Sequence, residues 1–155
     1  MIIPNHSSVD KFKSSANPFH RLNMLKILFS KLDVIVDDFE IKSNKKNFSI
    51  YTIKYLIEKY KDAKITMIIG EDQLINFSNW YEYDKIIDLV DVVCFNRNLK
   101  RNIKNIPNIE KIKDFTFDVS STQIRKLLDI KDYSKLKNKL HDNVLNYIKE
   151  NKLYV

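Results

Sequence analysis

A single glycine occurs in this chain of 155 residues, and its place constrains the fold more than any other feature. Gly70 stands directly after the apolar run Ile65-Thr66-Met67-Ile68-Ile69, whose length and β-branched content predict a buried strand. A chain that uses glycine once places it where a side chain would be in the way, at a sharp turn or where backbone approaches a ligand closely. Glu71 and Asp72 follow at once, and then the only tryptophan, Trp80, within Trp80-Tyr81-Glu82-Tyr83. In open α/β sheets ligands bind beyond the carboxyl ends of the strands, so strand, glycine, acid and aromatic in this order mark an expected site. The same pattern also fits a buried strand, a turn and a core tryptophan.

The rest of the chain alternates in kind. Residues 1–4 read as the end of a strand stopped at Pro4, and residues 5–16 as a polar segment carrying Lys11 and Lys13. Leu25, Leu28, Phe29 and Leu32 recur at i, i+3, i+4 and i+7, which predicts a helix over 18–32. A strand is expected over 33–39, a charged loop over 42–47, and a helix over 49–60 with Ser49 as N-cap and Ile50, Ile53 and Ile57 inward. After strand 65–69 come short helical pieces over 73–87, a strand over 89–95, a polar, basic stretch over 96–108 and a strand over 109–115. Helices follow over 121–128, 133–136 and 140–149. Near-continuously apolar strands alternating with helices predict a doubly wound α/β domain, its parallel sheet covered on both faces.

Length and composition set bounds. A chain of 155 residues is one domain long, and 44% hydrophobic with 12% aromatic content is that of a globular protein. No segment approaches the apolar length of a membrane span, and the start lacks the basic region and long apolar run of a secretion signal. Cys94, the only cysteine, lies in the apolar run Val92-Val93-Cys94-Phe95; this excludes an internal disulfide and suits a reducing cytoplasm. The net charge of +7 is spread along the chain and suits anionic partners, nucleotides or nucleic acid, without choosing between them.

A second stretch carries chemistry: Asp118-Val119-Ser120-Ser121-Thr122-Gln123-Ile124-Arg125. Hydroxyls and free backbone N–H groups at a helix start form a ready anion site, and Arg125, one turn in, adds a fork of donors suited to phosphate. The same residues also make an ordinary N-cap with a solvated arginine.

Taken together these motifs resemble a known family. Ile2-Ile3-Pro4-Asn5, the block IIGEDQLINFSNWYEYDKII over 68–87, Arg97, VSSTQIRKLL over 119–128 and the closing VLNYIKENKLY occur in the order and near the spacing of bacterial nicotinate-nucleotide adenylyltransferases. The resemblance covers essentially the whole chain. It implies a Rossmann-like nucleotidyltransferase fold over 1–155 and transfer of the adenylyl group of ATP to nicotinate mononucleotide, in cytoplasmic NAD biosynthesis. It implies Mg2+ arriving with ATP, no metal held by the protein alone, and neither membrane nor nucleic acid as partner. By resemblance, Ser121, Thr122 and Arg125 hold the ATP phosphates, Gly70 and Asp72 lie against the adenosine, and Arg97 lies near the adenine. Trp80 stacks on the nicotinate ring beside Tyr81, where backbone groups read its carboxylate, and Asn5 and Lys13 approach the mononucleotide, with Lys11 competing for the role of Lys13.

Two departures stand out. The family often has Ser-Tyr-Thr where this chain has Ser49-Ile50-Tyr51. Its first strand and Gly-Gly-x-Phe-Asp-Pro-x-His-x-Gly-His loop, with the helix after it (roughly 30 residues), have no match, so no catalytic residue is assigned. His6, His20 and His141 are expected in solvated rather than catalytic places. The missing strand would be central to the sheet. The expectation is therefore a chain truncated at its N-terminus, weakly active or inactive as written, whose upstream extension encodes the histidine loop. The alternatives are a sibling nucleotidyltransferase with another acceptor, or a catalytically dead nucleotide- or nucleic-acid-binding protein.

Overall fold

A computed structural model describes residues 1–4, 16–43, 46–95, 109–112 and 119–154. They fall into two compact units, one made of Asn47–Asp118 and the other of Met1–Lys46 with Val119–Val155.

The Asn47–Asp118 unit holds the sheet. Helix α3 (Ser49–Lys59) leads into strand β1 (Thr66–Gly70), the short α4 (Glu71–Leu74), a 3-10 turn at Phe77–Asn79, helix α5 (Tyr83–Leu89) and strands β2 (Asp91–Phe95) and β3 (Ile109–Ile112). The strands are parallel in the order β1-β2-β3, with Ile69 beside Cys94 and Cys94 beside Lys111. This is the α/β arrangement expected from apolar runs joined by helices. Ile69, Val92 and Cys94 on the sheet pack with Ile50 and Ile53 of α3, Leu74, Phe77 and Ile86 into one core. On the opposite face of β1, Ile68 is 66% exposed.

Ser49 is not the N-cap of α3. Phe48 holds that position in extended conformation without a side-chain cap, and Ser49 is the first helical residue. Ile50 and Ile53 are buried as expected, with Ile57 packed at the edge of the core.

In the other unit the expected strands over 1–4 and 33–39 reduce to one parallel bridge, Ile2 to Val36. Its bonds run from Ile2 N–H to the Ile35 carbonyl (2.8 Å) and from Asp37 N–H to the Ile2 carbonyl (2.9 Å). Asp37 ends the extended run, because its carboxylate accepts from Phe39 N–H at 2.8 Å and starts the short helix α2 (Phe39–Lys42).

Helix α1 (Pro18–Phe29) begins with Pro18 at its first position and the Asn17 side chain accepting from Phe19 N–H. It stops before Leu32, and it buries Leu22 rather than Leu28 (38% exposed) or Leu32 (61%). Apolar residues lie on every side of this segment, so the i, i+4 pattern could not select the inner face.

Helix α6 (Ser121–Asp129) opens on a capping box: Ser120 Oγ accepts from Gln123 N–H at 3.1 Å and Gln123 Oε1 from Ser120 N–H at 3.2 Å. Leu128 of α6, Leu136 from the 3-10 turn Tyr133–Leu136, and Val144 and Ile148 of α7 (Asp142–Glu150) form the second core.

Both α6 and α7 end in the left-handed turn that usually takes glycine. Lys131 N–H bonds the Leu128 carbonyl and Asp132 N–H that of Leu127; Lys152 N–H bonds Lys149 and Leu153 N–H bonds Ile148. With glycine used once, lysines stand at these positions, Lys131 at φ 56° and Lys152 at φ 50°. A side chain there costs about 1 kcal/mol. Lys152→Gly is expected to stabilise the protein by up to about that amount, less the added freedom of the unfolded chain. Urea unfolding checks it, and a lower midpoint would show that the lysine stem contributes more packing than its backbone costs.

Candidate active site

The expected site begins where β1 ends. Gly70 is extended (φ −88°, ψ 162°), so no turn demands a glycine. Space does. A Cβ built on Gly70 would lie 2.6 Å from Asp72 Oδ1, inside the volume the carboxylate now fills. Of the two readings open for this residue, the sharp turn falls, and the room a side chain would take is filled by the carboxylate of Asp72. The acids that follow part ways: Glu71 is buried at 2% exposure, whereas Asp72 is exposed. Burial first, and then the charge of Glu71, push the Cys94 thiol up from its ordinary value.

Gly70→Ala is expected to keep the fold, because the obstructing atom is the mobile end of an exposed carboxylate. If Asp72 lies against the adenosine as the resemblance implies, turning it out of place should raise the KM for ATP about tenfold, a little over 1 kcal/mol of binding, with kcat less affected. Steady-state kinetics check it, and an unchanged ATP KM would remove Asp72 from nucleotide binding.

Trp80 follows the 3-10 turn. Its N–H bonds the Phe77 carbonyl at 3.0 Å, and its half-buried indole meets the buried Phe77 ring edge-on at 5.1 Å. Tyr81 is 46% exposed and lies 4.6 Å from the ring of Phe48 and 6.1 Å from that of Tyr51. A hydrogen bond with the Tyr51 hydroxyl, then the nearby charges, holds the Tyr81 phenol above its usual value. Tyr51 is thus the neighbour of Tyr81.

In the other unit, Ser121 and Thr122 occupy the first two positions of α6 with both side chains exposed, and Arg125 is half-buried one turn on. Helical spacing of three and four sets the two hydroxyls and the guanidinium on one face at the start of the helix. Ser120 is spent on capping the helix. Asn5, Lys11, Lys13 and Arg97 lie outside the described residues, as does His6.

The remaining histidines have structural partners. His20 Nδ1 and the Tyr147 hydroxyl are 2.8 Å apart, and His141 caps α7 rather than riding on it, with Nδ1 accepting from Asn143 N–H at 3.2 Å. Among the described residues no three His, Cys, Asp or Glu side chains gather as a metal-holding group, and no helix is long and apolar enough to cross a membrane.

Comparison with known proteins places the chain. The model of the cytidylyltransferase-like family matches residues 1–127. Three bacterial relatives each carry the name "Probable nicotinate-nucleotide adenylyltransferase". That of Legionella pneumophila (strain Lens) is 29% identical over 98% of this chain and 82% of its own length. That of Aliarcobacter butzleri is 31% identical over 98% and 81%, and that of Borreliella burgdorferi 32% identical over 98% and 77%. The chain belongs to the nicotinate-nucleotide adenylyltransferase family.

Solved structures agree on the fold of this adenylyltransferase-family member. The nicotinic acid mononucleotide adenylyltransferase of Plasmodium falciparum, solved with NaAD, superposes with a TM-score of 0.68 at 20% identity, over 98% of this chain and 80% of that one. The same enzyme solved with APC gives 0.66. The doubly wound, Rossmann-like nucleotidyltransferase class expected from the sequence is thereby established. One feature of this family member escaped the sequence reading: the carboxylate of Glu82, set beside Trp80 and Tyr81 and paired with two lysines. Its only sequence signal was an acid flanked by aromatics with Lys85 three residues on.

Proposed function

We propose that this chain transfers the adenylyl group of ATP to the 5′-phosphate of nicotinate mononucleotide, giving nicotinate adenine dinucleotide and pyrophosphate, as a cytoplasmic step of NAD biosynthesis. The observation that carries the reading is the alignment of nearly the whole chain with relatives of that name at about 30% identity.

A phosphate oxygen of the mononucleotide attacks the α-phosphorus of ATP, the bond from that phosphorus to the bridging oxygen breaks, and pyrophosphate leaves with the electron pair. No covalent enzyme intermediate is needed, so catalysis is alignment of the reacting groups and neutralisation of charge on the phosphates. The Ser121 and Thr122 hydroxyls and the first N–H groups of α6 donate to phosphate oxygens, and the planar fork of Arg125 meets the charge that develops on the leaving group. Gly70 gives the adenosine room, the exposed Asp72 carboxylate accepts from its ribose hydroxyls, and Arg97 lies near the adenine. Trp80 stacks on the pyridine ring beside Tyr81, and Asn5 and Lys13 approach the mononucleotide. Magnesium enters as part of the substrate, carried by the triphosphate.

The test is pyrophosphate release from MgATP on this 155-residue chain, with nicotinate mononucleotide, nicotinamide mononucleotide or phosphopantetheine as acceptor. Slow release that requires nicotinate mononucleotide is expected. Release with phosphopantetheine alone would make the chain a sibling transferase. A folded protein with no release, and no quenching of its single tryptophan by nicotinate mononucleotide, would end the reading.

A further inference from the structure

The turn that presents Trp80 and Tyr81 is held by a carboxylate between two cations. Glu82 stands just ahead of α5 in the left-handed conformation, φ 54° and ψ 40°. Its Oε2 lies 3.3 Å from Lys54 Nζ and 3.2 Å from Lys85 Nζ. Lys85 is local, three residues on. Lys54 belongs to α3, 28 residues back in the chain, so its bond ties the turn to a separate helix. Main-chain bonds close the turn on either side: Tyr83 N–H donates to the Trp80 carbonyl at 3.1 Å and Ile86 N–H to that of Glu82 at 3.2 Å.

Left-handed backbone alone argues little here, since Lys131, Asn138, Lys152 and Tyr154 share it. Glu82 differs because both partners converge on its side chain, which is only 21% exposed. Burial by itself would raise this carboxyl; the Lys85 and Lys54 ammonium groups outweigh it and hold the group below the usual carboxylate range. A conformation that the side chain resists locally is thus kept by a tertiary ion pair, next to the two residues assigned to the pyridine ring.

We infer that Glu82, held between Lys54 and Lys85, is a positioning residue that sets the Trp80-Tyr81 turn for the pyridine nucleotide and plays no part in holding ATP. This rests on the proposed function. The discriminating variant is Glu82→Gly, which adopts the left-handed conformation without strain and deletes the carboxylate; Glu82→Gln keeps an acceptor oxygen and loses the charge. Exposed ion pairs of this kind are individually weak, so the expected effect of losing both is moderate. For Glu82→Gly the KM for nicotinate mononucleotide should rise about three- to tenfold, with the midpoint of Trp80 quenching moving in step. The KM for ATP and the melting temperature should hold, Glu82→Gln should fall between, and Lys54→Met should follow Glu82→Gly. An unchanged mononucleotide KM in Glu82→Gly overturns the inference, and so does a parallel rise of both KM values with a lower melting temperature, the mark of general loosening. A parent protein with neither turnover nor quenching defeats the functional reading and this inference with it.

Discussion

Phe77→Ala should remove a large share of the stability of the Asn47–Asp118 unit. Phe77 is fully buried and lies at the centre of that core, with the rings of Trp80 and Tyr83 set edge-on at 5.1 and 6.0 Å. Truncating a buried phenylalanine to alanine costs about 3–5 kcal/mol, against a total of about 5–15 kcal/mol for a domain. Trp80 is the reporter, since it is the only tryptophan and touches the deleted ring. Its emission should shift to the red in buffer, and urea should unfold the variant at a far lower concentration than the parent. Phe77→Leu, which retains most of the volume, should lose less than half as much. A Phe77→Ala loss below about 1 kcal/mol would mean that the core can close over the gap.

Arg125→Ala should cause the largest loss of activity, about a hundredfold or more in kcat, the usual cost of removing a donor aimed at transition-state charge. Arg125→Lys should recover part of it, because an ammonium restores the charge without the two-pronged geometry. Neither change should move the far-ultraviolet circular dichroism, as the capping box of Ser120 and Gln123 and the buried Leu128 hold α6 without Arg125. Steady-state kinetics on folded protein decide the matter. A kcat within threefold of the parent would place the phosphates elsewhere.

Strands β1 and β2 were legible because they are apolar runs: Gly70 ends one, and Cys94 and Phe95 sit where the pattern put them. The start of α6 could be read because Ser-Ser-Thr-Gln is a capping signature whose partners are local. What failed was governed by distant neighbours. The run Val34-Ile35-Val36 looked like a strand, yet Ile35 is 52% exposed and, among the described residues, Val36 alone of the three finds a bridge partner before Asp37 turns the chain. Leu28 and Leu32 looked inward because α1 is apolar all round and only tertiary packing selects its face. At the candidate site the residue types were visible, while the split between buried Glu71 and exposed Asp72 was not. Two adjacent acids read alike until the backbone fixes which one points inward. Lys54 could not be paired with Glu82 from sequence, since nothing local links positions 28 apart.

The division of the chain has a consequence for its synthesis. Asn47–Asp118 is continuous and can begin to fold as it emerges, whereas the other unit needs both flanks of the chain. Helix α1 makes this concrete: His20 meets Tyr147 across 127 residues, and Met24 and Ile27 pack on a core supplied by Leu128, Leu136, Val144 and Ile148. At about 5–20 residues per second, those partners trail α1 by roughly 6–25 s. For that interval the apolar residues of α1 lack the core they pack on, and a helix of 12 residues has little stability of its own without it.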